Sequence, residues 1–334
     1  MSKHLISYLM KKQGCPSYPE KLFDNYLYDM DLYFRHALFH VRPMSVTNLE
    51  SQIMALGHSL EKRLSFKNYR AEEFSTFLFY LRSLLREYKK RKLPENSVLV
   101  KATLNTIEVW SQEVRKANNL IPLVEDLEAI VLELKSKGES KLGGTKLLSK
   151  KEVISKARGD FSDLANSRFS IRDFSDQEVD PELIREAVTL AQKSPSVCNR
   201  QANKVYSFSD QVLMQEILKH QNGNRGFNDK IKTLLIVTTD LRTFNVAKER
   251  NQVFIDGGLF AMSLLYGLHY LGLGACSLNW SVDWDLDEIM HKTAEIPDYD
   301  KIIFLIAVGH LPETFIVPAS TRKSLNEVLI EHKC

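Results

Sequence analysis

The chain has 334 residues, long enough for one large domain or two of ordinary size. Its composition, 44% hydrophobic and 26% charged, is that of a soluble globular protein. Forty-five basic against 42 acidic side chains leave a formal charge of +3. This balance points away from nucleic acid as a partner and leaves room for a local basic cluster around a phosphorylated ligand. The cysteines are Cys15, Cys198, Cys276 and Cys334, with no CxxC pair. That spacing predicts neither a zinc site nor a disulfide framework, and fits reduced thiols in a cytoplasmic protein. The opening MSKHLISYLMKKQG lacks the apolar core of a secretory signal.

Residues 1–148 read as an all-helical N-terminal region. Phe23, Tyr26, Leu27, Met30, Tyr33, Phe34, Ala37 and Leu38 recur at three and four, and Pro43 ends that helix. His36 and His40 lie four apart within it, but without an HExxH motif or a nameable third ligand no metal is expected. Thr47 and Glu50 form a capping-box signature for a helix carrying Leu49, Ile53, Leu56, Leu60 and Leu64. On that helix, His58, Glu61 and Lys62 read as a solvated face with an ordinary ion pair. A third helix is predicted from about Ala71 to Lys90, and a fourth on the stripe Val100, Leu104, Ile107 and Val114. A fifth begins near Pro122 and stops at Gly138. Glu139 to Lys146 reads as a linker.

From Ser149 the texture changes. Ser149 and Glu152 form another capping box, and Asp180-Pro181-Glu182 opens a helix. Strands are predicted at Val205–Phe208, Leu234–Thr238, Ala275–Leu278 and Ile302–Val308, so residues 149–334 form an α+β domain with a helix-covered sheet. Val253 to Leu278 is long and apolar like a membrane span, but contains Asp256 and several glycines. It reads as a buried core helix, a glycine turn and a strand, with small residues suited to a tight helix–helix or dimer contact; no membrane span is expected.

Five segments carry the candidate chemistry. Arg168-Phe169-Ser170-Ile171-Arg172 places two guanidinium groups and a hydroxyl within five residues. Ser194-Pro195-Ser196-Val197-Cys198-Asn199-Arg200-Gln201 follows, then Gly223-Asn224-Arg225-Gly226-Phe227-Asn228-Asp229-Lys230, then Gly272-Leu273-Gly274-Ala275-Cys276-Ser277-Leu278-Asn279-Trp280. Ser320-Thr321-Arg322-Lys323-Ser324-Leu325 closes the series. The glycines of the fourth segment lack the third member of a dinucleotide fingerprint.

In order and content these segments resemble the FMN-dependent nitroreductase family, whose opening reads R-x-S-x-R/K-x-F and then P-S-x-x-N-x-Q. The resemblance covers about residues 158–334. It implies a central, mainly antiparallel sheet flanked by helices, and a homodimer with FMN at the interface and crossing C-terminal segments. Glu327–Glu331 is the candidate crossing strand. Arg168, Ser170, Arg172 and Arg322 would anchor the FMN phosphate, because guanidinium forks match phosphate oxygens, and Phe169 would be a further cofactor-binding residue between them. Asn228 would read the pyrimidine edge by donating and accepting together, and Lys230 or Lys232 would stabilise the reduced ring. Pro195, Ser196, Val197, Cys198 and Asn199 would approach the flavin across the dimer. Ser277, Leu278, Asn279 and Trp280 would lie near N5.

Two departures from the family pattern stand out. Gln201-Ala202-Asn203 replaces a common Q-P-W, and Asn279-Trp280 replaces an acidic residue and a glycine. Cys198 beside a redox cofactor reads as a packing or loop residue, since no resolving partner is evident. The implied activity is ping-pong hydride transfer from NAD(P)H through FMN to a small-molecule acceptor, with no side chain acting as nucleophile. The alternative is a flavin-binding or interaction protein with little turnover. The His58–Lys62 segment resembles helical extensions on some bacterial nitroreductase-like proteins, and for this alternative the resemblance implies a link to surface-polysaccharide biosynthesis. A helical scaffold without flavin is a third reading.

Overall fold

The computed structural model describes residues 22–24, 26, 27, 30, 44–66, 75–93, 97–116, 122–134, 142–244 and 247–332. Cys15, His36, His40, Pro43, Ala71, Phe74, Gly138 and Cys334 lie outside these, as does most of the helix expected over Phe23–Leu38. In chain order the elements are α1 (Val46–Leu64), α2 (Ser75–Lys90), α3 (Val98–Lys116), α4 (Pro122–Leu134), β1 (Thr145–Ser149), α5 (Lys150–Ala157), α6 (Phe161–Ser167) and α7 (Pro181–Ala191). Then come β2 (Asn203–Phe208), α8 (Gln211–Leu218), β3 (Thr233–Asp240), α9 (Gln252–Tyr270), β4 (Leu273–Asn279), α10 (Trp284–Thr293), β5 (Asp300–His310), β6 (Thr314–Pro318) and α11 (Leu325–Val328). They form two compact units, one built on Lys150–Pro312 and the other on Phe39–Ser149 with Glu313–Cys334.

In the helical unit, α1 to α4 bury Leu49, Ile53, Leu60, Leu81, Leu85, Ile107, Trp110 and Leu127 in one core. The helical stripes expected there are the buried faces. The start of α1 differs: Ser45, not Thr47, is the cap, and its hydroxyl accepts the Asn48 amide at 3.1 Å while Asn48 answers with its own side chain. Asparagine serves here in the place usually held by glutamate. The described part of the expected linker, from Leu142, is held by α3. Asn105 Nδ2 donates to the Leu142 carbonyl at 2.9 Å, and Thr106 Oγ1 accepts the Gly144 amide at 2.9 Å. These polar side chains of α3 satisfy backbone groups that a linker would leave to water. Gly143 adopts φ +79°, and a Cβ there would collide with the Ala102 carbonyl.

The polypeptide then pairs β1 antiparallel with β6, from Thr145 opposite Pro318 to Ser149 opposite Thr314. Local sequence does not announce a pairing across so wide a separation. The carboxylate of Glu61, buried on α1, accepts from His58 Nδ1 at 3.1 Å and from the Ser320 amide at 3.4 Å. It therefore holds the turn after β6 and is not part of a solvated face. Glu327–Glu331, the candidate crossing strand, forms no strand within this chain. Ser324 and Glu327 form a capping box that starts α11, and the helical turn consumes the segment's first residues.

The other unit is built on a four-stranded antiparallel sheet, β2-β3-β5-β4. All four strands expected from sequence are present, each slightly longer than its apolar run. On one face Leu235, Val237, Ile306 and Val308 pack with Phe260, Leu264 and Leu268 of α9 and Ile184 and Ala187 of α7. The alternating Leu234, Ile236, Leu305 and Ala307 are equally buried, so the sheet is covered on both faces. Asp180 caps α7 through the Glu182 amide, with Pro181 in the first turn.

Gln252–Tyr270 is the one helix among the described residues long and apolar enough to cross a membrane. It lies on the sheet as the core helix, contacting α7, β3 and β4. At Gly257 it comes so close that a Cβ would stand 2.6 Å from Ile303 and 2.8 Å from Thr239.

Gly143→Ala combines an unfavourable φ with a backbone collision. It is expected to remove about 2 kcal/mol from the helical unit, read as a shifted urea transition in the fluorescence of buried Trp110. An unchanged midpoint would mean that this turn is not fixed as described.

Candidate functional site

After α6 the chain crosses the outer edge of β4. Ser170 bridges Ala275 in parallel, and the Ile171 amide donates to the Ala275 carbonyl at 2.9 Å. Farther on, the Ser175 amide donates to the His310 carbonyl at 2.9 Å. Ile171 and Phe174 are the apolar anchors, each 4% exposed. Phe174 lies over Gly309, where a Cβ would meet its ring at 2.8 Å, and against Phe227. With Ser167, Ile171 and Phe174 buried, Arg168, Phe169, Ser170 and Arg172 remain half-exposed along one stretch.

The Arg172 Nη1 donates to the Ser170 carbonyl at 3.4 Å, while its Nε is buried without a partner. A buried donor on a permanent cation is an unfilled place for an anion's oxygen. Arg168 follows α6 directly. Its neighbour Ser167 bonds His269 Nε2 at 2.9 Å, deep under the segment. Burial, and next the charge of Arg168, push His269 down from 6.5 to about 4. The imidazole is therefore neutral at physiological pH.

Asp173 ties this segment to the next one, accepting from Lys230 Nζ at 2.7 Å. Lys230 ends a short 3-10 turn that begins at Asn228. Asn228 exchanges two hydrogen bonds with Gln215: its Nδ2 donates at 3.1 Å and its carbonyl accepts at 3.0 Å. Its side-chain oxygen carries neither bond. Lys232 sits 3.7 Å from Glu178 and is less exposed than Lys230.

Along β4, Ser277 and Asn279 are exposed and Leu278 is buried. The strand end is clamped twice. Gln221 Nε2 donates to the Asn279 carbonyl at 2.7 Å, and Trp280 Nε1 donates to Asp287 Oδ1 at 2.7 Å. Lys301 reaches the other oxygen of Asp287 at 2.5 Å. Burial pushes the Asp287 carboxyl up, but the bonds from Lys301 and Trp280 outweigh it and hold it below the usual carboxylate range.

Residues 168–173, 228–230 and 277–280 are thus linked through β4 and the Asp173–Lys230 pair. The Pro195–Asn199 stretch is held elsewhere, on α9: Asp256 accepts the Val197 amide at 3.1 Å. Pro195, Cys198 and Asn199 are exposed, and Ser196 and Val197 half-buried. Cys198 and Cys276 are not disulfide-bonded. Arg322 belongs to the helical unit, where it is exposed and donates to the Ser320 carbonyl. Sequence reasoning did not assign Asp173, Gln221, Asp256, His269 or Asp287. Only Asp256 left a signal, as the lone acid in an apolar helix.

Residues 165–310 match the model of the Nitroreductase family. This stretch is a nitroreductase-family domain. The chain is also similar to the Nitroreductase Family Protein of Streptococcus pneumoniae TIGR4, at 21% identity over 52% of this chain and 100% of that one, with a TM-score of 0.45. It is similar to an FMN-dependent nitroreductase of Clostridium difficile R20291, at 17% identity over 50% and 92%, with a TM-score of 0.40. A nitroreductase-like protein of Desulfovibrio desulfuricans solved in complex with FMN shares 19% identity over 53% and 98%, with a TM-score of 0.45. Among curated proteins none matches the chain. The match supports flavin oxidoreductase chemistry in general terms for the nitroreductase-family domain.

The depressed His269 makes the stability of this domain pH-dependent. Below pH 6.5 the unfolded chain takes up a proton that the folded one refuses until about pH 4, so stability falls as the pH is lowered through that window. The loss is about 3 kcal/mol in total. His269→Gln, which does not titrate, is expected to flatten the curve of unfolding free energy against pH; parallel curves for the two proteins would contradict the assignment.

Proposed function

We propose that the nitroreductase-family domain binds FMN and is an NAD(P)H oxidoreductase, with donor and small-molecule acceptor taking turns at one site in a ping-pong cycle. The buried, unpartnered Nε of Arg172, beside Ser170 and after Arg168, carries the proposal. It is an incomplete anion clasp on a rigid sheet edge. When bound, FMN supplies the hydride-accepting and hydride-donating centre.

The chain's own residues would bind and orient. Arg168, Ser170 and Arg172 take the phosphate, with Phe169 packing beside them; Arg322 is kept as a phosphate contact on the family resemblance alone. Asn228, its amide nitrogen oriented by Gln215, offers its free oxygen to the pyrimidine N3–H. Lys230, steadied by Asp173, is the cation for the reduced ring. Ser277, Leu278, Asn279 and Trp280 form the wall near N5, fixed by Gln221 and Asp287.

The same reading makes the protein a homodimer. Phe254, Ile255 and Leu259 on α9 are about half-exposed, and at Gly258, on the same side, nothing stands within 4 Å of a Cβ. A second copy would cover this apolar stripe and bring Pro195–Asn199 to the partner's flavin. A cytoplasmic setting supplies NAD(P)H and keeps Cys198 and Cys276 as thiols.

The test is visible absorbance of the purified protein with FMN, before and after anaerobic NADPH and then NADH. Flavin bands that bleach within seconds support the oxidoreductase; bound flavin that does not respond would favour a binding protein with little turnover. Arg172→Ala is expected to weaken FMN binding about tenfold to a hundredfold, as loss of a charge-assisted contact does. Wild-type affinity in this variant would misplace the phosphate.

A further inference from the structure

The turn from Ser196 to Gln201 is wound against its own sequence. Cys198, Asn199 and Gln201 all have left-handed φ, at 51°, 54° and 50°, and none is glycine. Asparagine tolerates this conformation; cysteine and glutamine adopt it only where the surroundings over-determine it.

Beneath the turn lies Asp256, 1% exposed in an otherwise apolar helix. Its two carboxylate oxygens accept the Val197 amide at 3.1 and 3.3 Å, and Oδ1 also accepts Gln252 Nε2 at 2.8 Å. Among the described residues no lysine or arginine pairs with it, so its buried charge is spent on a backbone N–H and a carboxamide. The approach of α9 to β5 at Gly257 fixes where this carboxylate stands.

The rest of the turn is braced from the other side. Arg200 donates to Glu249 at 2.9 Å and to the Thr243 carbonyl at 3.0 Å, and Ser196 Oγ accepts the Gln201 amide at 3.0 Å. The side chains left exposed are those of Cys198, Asn199 and Gln201.

We propose that Asp256 is the positioning residue of this turn: it holds the Val197 amide so that the strained backbone presents Ser196, Cys198 and Asn199 at fixed places to the flavin. The flavin half of this inference rests on the FMN reading above. A buried carboxylate bound to an amide that opens a left-handed run is costly as mere packing, since an apolar residue of similar size would fill the same space without desolvating a charge. Its return is a turn that does not relax to ordinary φ values.

Two measurements test the two halves separately. Hydrogen exchange of the flavin-free protein reads the turn. Asp256→Ala is expected to speed exchange at the Val197 amide about tenfold or more while the amides of β3 and β5 keep their protection. Asp256→Asn keeps the helix packing and one acceptor oxygen, and is expected to fall between; it carries the test if the alanine variant fails to fold. Unchanged exchange in both variants would overturn the positioning role.

FMN titration of the same proteins reads the consequence, with affinity about tenfold weaker in Asp256→Ala. A deprotected turn with wild-type FMN affinity would overturn the link to flavin. A wild-type protein that binds no FMN would instead sink the flavin reading itself, while the exchange result still decides what holds the turn.

Discussion

The candidate site depends on one hydrogen bond and the packing around it: the Ile171 amide on the Ala275 carbonyl, at the open edge of β4. A strand edge offers unpaired carbonyls, and a short segment that takes one is fixed in register. Ile171 and Phe174 then sink between sheet and helices. Burial of these two fixes the backbone of the intervening Arg172. Its guanidinium is held against its own backbone, with one donor sealed and unfilled. The Asp173–Lys230 pair and the clamps on Asn279 and Trp280 extend the same order across neighbouring loops. Permanent positive charge is thereby arranged before any ligand arrives, so little ordering would remain to oppose binding.

Much of this was legible in the sequence for definite reasons. Helices α1 to α4 have apolar faces at the helical period, and those faces are the core. β3 is a continuous apolar run because the sheet is covered on both sides. Val253–Leu278 resolved into helix, turn and strand because Asp256 and the glycines do not suit a membrane span. Arg168, Ser170 and Arg172 stood out because two guanidinium groups and a hydroxyl within five residues are chemically conspicuous.

What stayed hidden is non-local. Pairing of β1 with β6 needs partners far apart in sequence, and the polar side chains of α3 that order Leu142–Gly144 give no local signal. His269 carries no sequence signal, and only the fold places Ser167 against it. The left-handed turn at Cys198 has no glycine to betray it. Glu327–Glu331 reads as a strand by composition, and only the Ser324 cap shows why a helical turn wins. Side chains whose role is to hold other groups, such as Asp256 and Gln221, carry no motif.

In the proposed function the Arg168–Arg172 edge clasps a phosphate. Parallel titrations of the wild-type protein with FMN and with riboflavin, which share the ring and differ in the phosphate, test it most directly. FMN is expected to bind at least about tenfold more tightly, with the difference shrinking as salt is raised. Equal affinity for the two flavins would contradict it.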